Sequence, residues 1–536
     1  MNDKNRPIII GIIVAVLMIL VGFLVYYNYR VGNKNKNYTG GVSDIDFSSY
    51  ENKELKGDFI NSGGIYTLTG DIKNTIRISA QKADIKLVLN NVNMDISSGP
   101  AINIEAADNV YIELIGDNTI KANATSELNG AIYSKADLCF IGDGKLNITS
   151  NIDGIVGKDD LQINSGVFNI NANDEGIVGK DSLVVKGGTL NIDVSGNGMK
   201  TSNEQEKGIM TIEGGTFNIK SKGDAIQSIS TLTINNGVFN IESGNGTDRT
   251  LSSNSDSMKG IKSKSDLSIN GGTINIKSTD DSIHTNGNLT IINSNITIES
   301  GDDGIHTDKD LYFKDSNVNV NKAYEGIEGL NITVDSGNIS VISSDDGFNA
   351  AGGDGSSGGR PGSARYSNTS NSALTINGGT IYVNSQGDGL DSNGNIFITG
   401  GEITVDGPTN GGNGAMDYGD GGAYKFEVTG GTLIAVGTKD MAVTPTSGTT
   451  VTSVLMNLDN TYNEEFVFGD IKYKPTKTYN SILIVSNKLS KGNTYDLKIN
   501  NNKILSLQLN DTITTSGTTG NRGGPGGGDH GGGPRR

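Results

Sequence analysis

Apolar and polar residues alternate in short runs through most of the chain, as in Leu267-Ser268-Ile269-Asn270-Gly271-Gly272-Thr273-Ile274-Asn275-Ile276 and Leu374-Thr375-Ile376-Asn377-Gly378-Gly379-Thr380-Ile381-Tyr382-Val383. A period of two buries one face of a strand, and glycines between runs supply backbone positions that other residues reach at a cost. The pattern repeats. Gly154-Ile155, Gly176-Ile177 and Asn197-Gly198-Met199 open successive units, as do Ser282-Ile283, Gly304-Ile305, Gly326-Ile327 and Gly347-Phe348, at a spacing of 22 residues and finally 21. Three short strands per unit make one coil of a solenoid, and the fixed Leu/Asn signature of leucine-rich repeats is missing. The spacing therefore predicts an all-β fold, a right-handed parallel β-helix over 56–423.

Insertions break the period at 200–209, 244–258 and 351–373, the last a Gly/Ser-rich stretch expected to be a mobile loop on one flank. Residues 424–513 read as ordinary alternating strands, a C-terminal β cap over the open edge of the last coil. The Gly-rich tail 514–536 has the composition of a disordered segment.

At the other end, Ile8 to Tyr27 is an apolar run without charge. Twenty residues at ~1.5 Å each match a bilayer core of ~30 Å, which predicts one N-terminal transmembrane helix. Residues 1–30 are then a cytoplasmic tip and anchor and 31–55 a tether, giving a single-pass cell-membrane protein with its large domain extracellular. Lys4 and Arg6 before the run and Arg30, Lys34 and Lys36 after it leave the charge asymmetry indecisive, so the outward orientation is inferred from the nature of the domain.

Charge narrows the partners. With 60 acidic against 43 basic residues the chain carries −17, which repels phosphate backbones and favours metal cations over nucleic acid. The single cysteine, Cys139 in Leu138-Cys139-Phe140-Ile141, rules out a disulfide within the chain and reads as core. No Trp is present to form a strip of stacked indoles, although Tyr133, Tyr312, Tyr324, Tyr382 and Tyr418 could each stack on a sugar.

Because residues 22 apart stack, the repeat can be read as columns. One runs Asp153, Glu175, Asn197, Asp224, Asp281, Asp303, Glu325, Asp346, Asp388, with Asp280, Asp302 and Asp345 beside it. Asp and Asn suit turns before glycine, which is the plain reading. Stacked carboxylates repel, however, and hard oxygen ligands on adjacent rungs suit Ca²⁺, so Asp280, Asp281, Asp302, Asp303, Glu325, Asp345, Asp346, Asp388 and Asp391 are candidate metal ligands. A second, outward column runs Lys200, Gln227, Lys262, His284, His306, Glu328, Asn349, Asp391, Asp417, from basic to acidic, as in a groove for a linear polymer. His284, His306, Tyr324, Glu328, Asn349, Asp391 and Asp417 are the candidate substrate-binding residues. A third column, Asn169, Asn191, Asn218, Asn240, Asn275 and Asn319, reads as structural hydrogen bonding at the surface.

The segments Gly301-Asp302-Asp303-Gly304-Ile305-His306, Ala323-Tyr324-Glu325-Gly326-Ile327-Glu328-Gly329, Asp345-Asp346-Gly347-Phe348-Asn349-Ala350-Ala351-Gly352-Gly353, Gly387-Asp388-Gly389-Leu390-Asp391-Ser392-Asn393-Gly394 and Gly407–Tyr418 resemble the bacterial carbohydrate-binding-domain proteins. These are β-helix surface proteins prominent in clostridia, one of which binds cellulose and acidic pectic polysaccharide. The resemblance covers most of 55–533 and departs at Phe348 and Met416, where Ile or Leu is expected. It implies a fold like that of calcium-dependent pectate lyases, with Ca²⁺ on the helix. The expectation is a carbohydrate-binding protein that recognises an acidic polysaccharide such as pectin or polygalacturonate, or cellulose, through calcium. The alternatives are a calcium-dependent polysaccharide lyase and a non-catalytic structural surface or spore-coat protein. A lyase needs a base, and Lys309 and Lys322 are nearest by register, but neither sits in a lyase motif and both lie among acids that favour the protonated form.

Overall fold

The computed structural model describes residues 38–205, 207–248, 257–351, 372–420 and 422–519. Among these, regular structure is strand throughout, apart from one 3-10 turn at Phe47–Ser49. The strands stack in three parallel ladders. In the first, Ile177–Gly179, Met199–Thr201, Ile226–Ser228, Ile261–Ser263, Ile283–Thr285, Ile305–Thr307, Ile327–Gly329, Phe348–Ala350 and Leu390–Ser392 follow one another within a 14-stranded sheet. At ~4.8 Å per strand that sheet is ~60 Å long. The second ladder passes through Asp160–Ile163 and Ser182–Val185, the third through Val167–Ala172 and Thr189–Val194. Strand Ile85–Ile96 pairs with both Asn109–Ile115 and Asp117–Ala122, joining those two ladders into one 32-stranded sheet.

The register explains the repeat. Ile155, Ile177, Met199, Ile226, Ile261, Ile283, Ile305, Ile327, Phe348 and Leu390 fall on one inward column and are fully buried. Phe348 and Met416 are core residues, so the departure from Ile or Leu is conservative. The residue before this column is usually glycine because neighbouring strands touch there. A Cβ on Gly176 would meet the carbonyl oxygen of Gly198 at 2.4 Å and Cγ2 of Ile192 at 2.8 Å.

The ladders end in a different arrangement. Thr432–Gly437 continues the third ladder on Glu402–Asp406, then pairs antiparallel with Tyr479–Val485, which pairs with Ser453–Tyr462. A four-stranded antiparallel sheet around Phe466–Phe468 and Thr494–Ile499 adds a second apolar core containing Phe466, Phe468, Tyr479 and Leu497. Strand Ile513–Ser516 pairs with Ser453–Tyr462, so ordered structure runs past 514.

Several expectations are corrected. The expected β-helix with one N-terminal transmembrane helix gives way to a nearly all-β chain of parallel ladders with no α-helix among the described residues. No helix of those residues is long and apolar enough to cross a membrane, so single-pass anchoring with an extracellular domain has no support here. The run 8–27 itself lies outside the described residues, as do the loop 352–371 and the tail 520–536. Residues 38–50, expected to be tether, instead lie along the second ladder. The Gly41 amide donates to Oγ of Ser182 at 3.0 Å, the Val42 amide to Oε1 of Gln162 at 3.1 Å, and the Tyr50 hydroxyl to Oδ2 of Asp84 at 2.8 Å. Val42 and Phe47 pack there on Tyr111 and Cys139, so Cys139 is buried under this strap.

Candidate functional site

The acidic column first does structural work. On most rungs one carboxylate or amide oxygen accepts the backbone amide of the equivalent residue on the next. Asp153 takes the amide of Glu175 at 3.1 Å, Glu175 that of Asn197 at 2.7 Å, Asn197 that of Asp224 at 2.7 Å and Asp224 that of Lys259 at 2.8 Å. Asp281 accepts from Asp303 at 3.2 Å, Asp303 from Glu325 at 3.3 Å and Asp346 from Asp388 at 2.6 Å. A buried amide needs an acceptor, and Asp, Glu and Asn all supply one. The plain reading of this column therefore accounts for one oxygen per rung.

The second oxygen faces the outward column, and its surroundings change along the ladder. Toward the N-terminal side it meets cations. Lys200 pairs with Glu175, and Lys262 lies 3.4 Å from Asp224. Lys259 occupies the column position between Asp224 and Asp281, which sequence reading missed because the insertion at 244–258 ends just before it. Its Nζ sits 2.9 Å from Oδ1 of Asp280 and 2.6 Å from Oδ2 of Asp281. Burial alone would lower the Lys259 pKa, but Asp281 and Asp280 outweigh it and hold the ammonium protonated. Burial likewise works against the Asp281 carboxylate, yet Lys259 and His284 keep it well below its usual range.

The two histidines form the middle of the column. Their strands pair in register with ring centroids 4.9 Å apart, and Nδ1 of His284 is 2.9 Å from Oδ2 of Asp281. His306 is enclosed by Asp303, Asp308 and Glu328. Burial opposes its charge, but hydrogen bonds to Asp303 and Asp308 raise its pKa well above the ordinary value.

Beyond Glu328 the described residues place no cation on Asp346, Asp388 or Asp391. Glu328, Asn349 and Asp391 pair in register, and Asp417 donates its amide to the Leu390 carbonyl to extend the column. Among the described residues, Asp346, Asp388 and Asp391 make no ion pair with Lys, Arg or His. Burial and then Asp345 push Asp346 up to about 7. Burial and then Asp346 push Asp388 up to about 8. Asp391 is raised well above its usual range by burial and by Asp388, Asp346 and Asp417. Nδ2 of Asn349 donates to Oε2 of Glu325 at 2.9 Å, while its Oδ1 is buried without a hydrogen-bond partner.

The remaining candidates separate. Nζ of Lys322 donates to the Thr247 carbonyl at 3.0 Å, away from the acidic end. Asn169, Asn191 and Asn218 each donate Nδ2 to Oδ1 of the asparagine on the preceding rung, Asn147, Asn169 and Asn191, at 2.7–2.8 Å, and the four line a shallow groove of about 450 Å³. Asn240 and Asn275 extend that ladder, whereas Thr297 interrupts it before Asn319. Lys477 was missed, because it arrives from the C-terminal region, outside the repeat. It donates to the Ser385 carbonyl beside a cavity of about 340 Å³ lined by Asn384, Gln386 and Asn410, and burial lowers its pKa to about 8.

Residues 58–304 match the family of carbohydrate-binding domain-containing proteins. Over that span the chain is similar to this family. The carbohydrate-binding span is narrower than the expected 55–533 and stops within the histidine rungs, short of the cation-free carboxylates. The match supports a carbohydrate as the partner class. Among solved structures, a polysaccharide lyase-like protein from C. thermocellum, in a gadolinium derivative, aligns at 26% identity and a TM-score of 0.32, covering 44% of this chain and 89% of that one. No curated protein matches the chain.

Proposed function

We propose that the chain binds an acidic polysaccharide of the pectin or polygalacturonate type through calcium held at the acidic end of the first ladder. The observation that carries this reading is the cluster Asp346, Asp388 and Asp391, three half-buried carboxylates that pair with no cation among the described residues, beside a buried Oδ1 of Asn349 that finds no donor there. Stacked oxygen acceptors of this kind fit Ca²⁺, which takes six to eight oxygens in flexible geometry. Asp346, Asp388, Asp391 and Asn349 would hold the ion, with Asp417 next in the column. A chain of net charge −17 repels a polyuronate, and a shared cation reverses that. The acids at 280, 281, 302 and 303 fit calcium less well, since Lys259 already neutralises the first two. Polygalacturonate retention is measured with calcium and with chelator. Binding that survives chelation overturns the cation bridge.

Lys477 favours a second reading, a polysaccharide lyase. β-Elimination needs a base that is neutral near the working pH, and Lys477, half-buried, lowered to about 8 and bonded to the Ser385 carbonyl just before Asp388, meets that requirement. A calcium-dependent rise of unsaturated uronate absorbance, lost in Lys477→Met, would assign the lyase; no product over hours assigns the binder.

A further inference from the structure

Two carboxylates converge on one imidazole nitrogen. Nδ1 of His306 lies 3.2 Å from Oδ2 of Asp303 and 3.2 Å from Oε2 of Glu328. That nitrogen carries at most one proton, so a single hydrogen bond cannot serve both oxygens well. The other ring nitrogen, Nε2, lies 3.4 Å from Oδ1 of Asp308, whose Oδ2 is fixed by Nδ2 of Asn286 at 2.7 Å. Asp303 is held in turn, because its Oδ1 accepts the Glu325 amide.

The two 3.2 Å separations at Nδ1 are close to ligand–ligand edges of a metal polyhedron. In a tetrahedral zinc site, bonds of about 2.0–2.2 Å to nitrogen and oxygen place neighbouring ligand atoms about 3.3–3.5 Å apart. Ligand atoms of Asp303, His306 and Glu328 all lie within 4.8 Å of one another. A carboxylate behind the second nitrogen of a metal-bound imidazole fixes its tautomer and raises its basicity, which is the position of Asp308. An imidazole with two carboxylates selects a borderline transition metal over Ca²⁺, which prefers a larger all-oxygen shell.

We propose that Asp303, His306 and Glu328 bind one divalent transition-metal ion of the Zn²⁺ class, with Asp308 and Asn286 as the supporting shell. The three ligand side chains are 13%, 24% and 21% exposed, so an ion can enter and solvent can take the fourth corner. His284 is not part of this set, since its partner Asp281 is engaged by Lys259. The site uses different residues from the calcium cluster and does not depend on it.

The test uses the full chain, stripped with chelator and titrated with Co²⁺ and then Zn²⁺. One equivalent of Co²⁺ should give the intense visible absorption of tetrahedral cobalt, displaced by one equivalent of Zn²⁺ and retained in about 100-fold excess Ca²⁺. His306→Gln and Glu328→Gln should each weaken Zn²⁺ binding at least about 100-fold, and Asp308→Asn about 10–100-fold. His284→Gln should leave the affinity within about threefold. A weak octahedral cobalt spectrum of the parent chain overturns the site without any variant having to fold. Undiminished Zn²⁺ binding in His306→Gln, or its loss in His284→Gln, overturns the ligand assignment.

Discussion

The ammonium of Lys259 lies 2.6 Å from Oδ2 of Asp281, whose Oδ1 accepts the amide of Asp303 on the next rung. One buried carboxylate thus ties three consecutive rungs together, through a charge on one side and a backbone amide on the other. Both side chains are largely buried, at 13% and 5% exposure, so removing one leaves an uncompensated charge. Lys259→Met is expected to cost ~3–5 kcal/mol in urea unfolding, and adding Asp281→Asn to recover most of it. A single variant as stable as the parent would show that Asp280 and Asp281 find another cation.

Calcium binding can be separated from amide capping. Asn keeps the oxygen that caps the next amide but removes the charge, so Asp346→Asn with Asp388→Asn should fold normally. In the parent, calcium at a hundredfold excess over its Kd should add ~2.7 kcal/mol of stability by mass action. The double variant should show no calcium-dependent shift in melting temperature; a shift equal to the parent's places the ion elsewhere.

Asp137 makes the stability pH-dependent in an unusual direction. Burial, then Asp160 and Asp159, push its carboxyl up to about 7. The folded state therefore binds a proton that the unfolded state has released between pH ~4 and ~7, and this contribution to stability falls as pH rises through that window. Asp137→Asn should raise the melting temperature at pH 8 and leave it unchanged at pH 4, with a ceiling of ~4 kcal/mol from ~1.4 kcal/mol per pK unit. A gain of equal size at both pH values would refute the titration argument.

The strap can be tested through the thiol beneath it. Phe47→Ala opens the small cluster with Val42, Tyr111 and Cys139, at an expected ~3–5 kcal/mol if the cavity does not collapse. Alkylation of Cys139 in native buffer should be much faster in this variant than in the parent. Equal rates would mean that the strap does not shield the thiol.

Much of this arrangement was legible in the sequence because stacking turns a spacing of 22 into vertical neighbours. The outward column from Lys200 to Asp391 pairs rung for rung as spaced, and the Asn169–Asn240 ladder bonds as expected. Lys259 was hidden because an insertion restarts the count just before it. Lys477 was hidden because a residue outside the repeat has no column to be read in. The docking of 38–50 has no periodic signature either, since Gly41, Val42 and Phe47 find their partners by shape and not by register. Which carboxylates keep their charge could not be read from spacing, because that depends on where a lysine tip reaches.

The strap also sets how the molecule bears load. Residues 40 to 50 cross the rungs of Ser182, Asp160, Asp137, Asn109 and Asp84 before the chain enters its first strand, Asn52–Lys53. A pull on Tyr38 therefore acts on several rungs at once, in shear along the ladder, and reaches the terminal strand only after Phe47 and Tyr50 have let go. Without the strap the same pull would unzip the strands one after another from the end. The strap thus couples the rungs between Asp84 and Ser182 through non-covalent contacts.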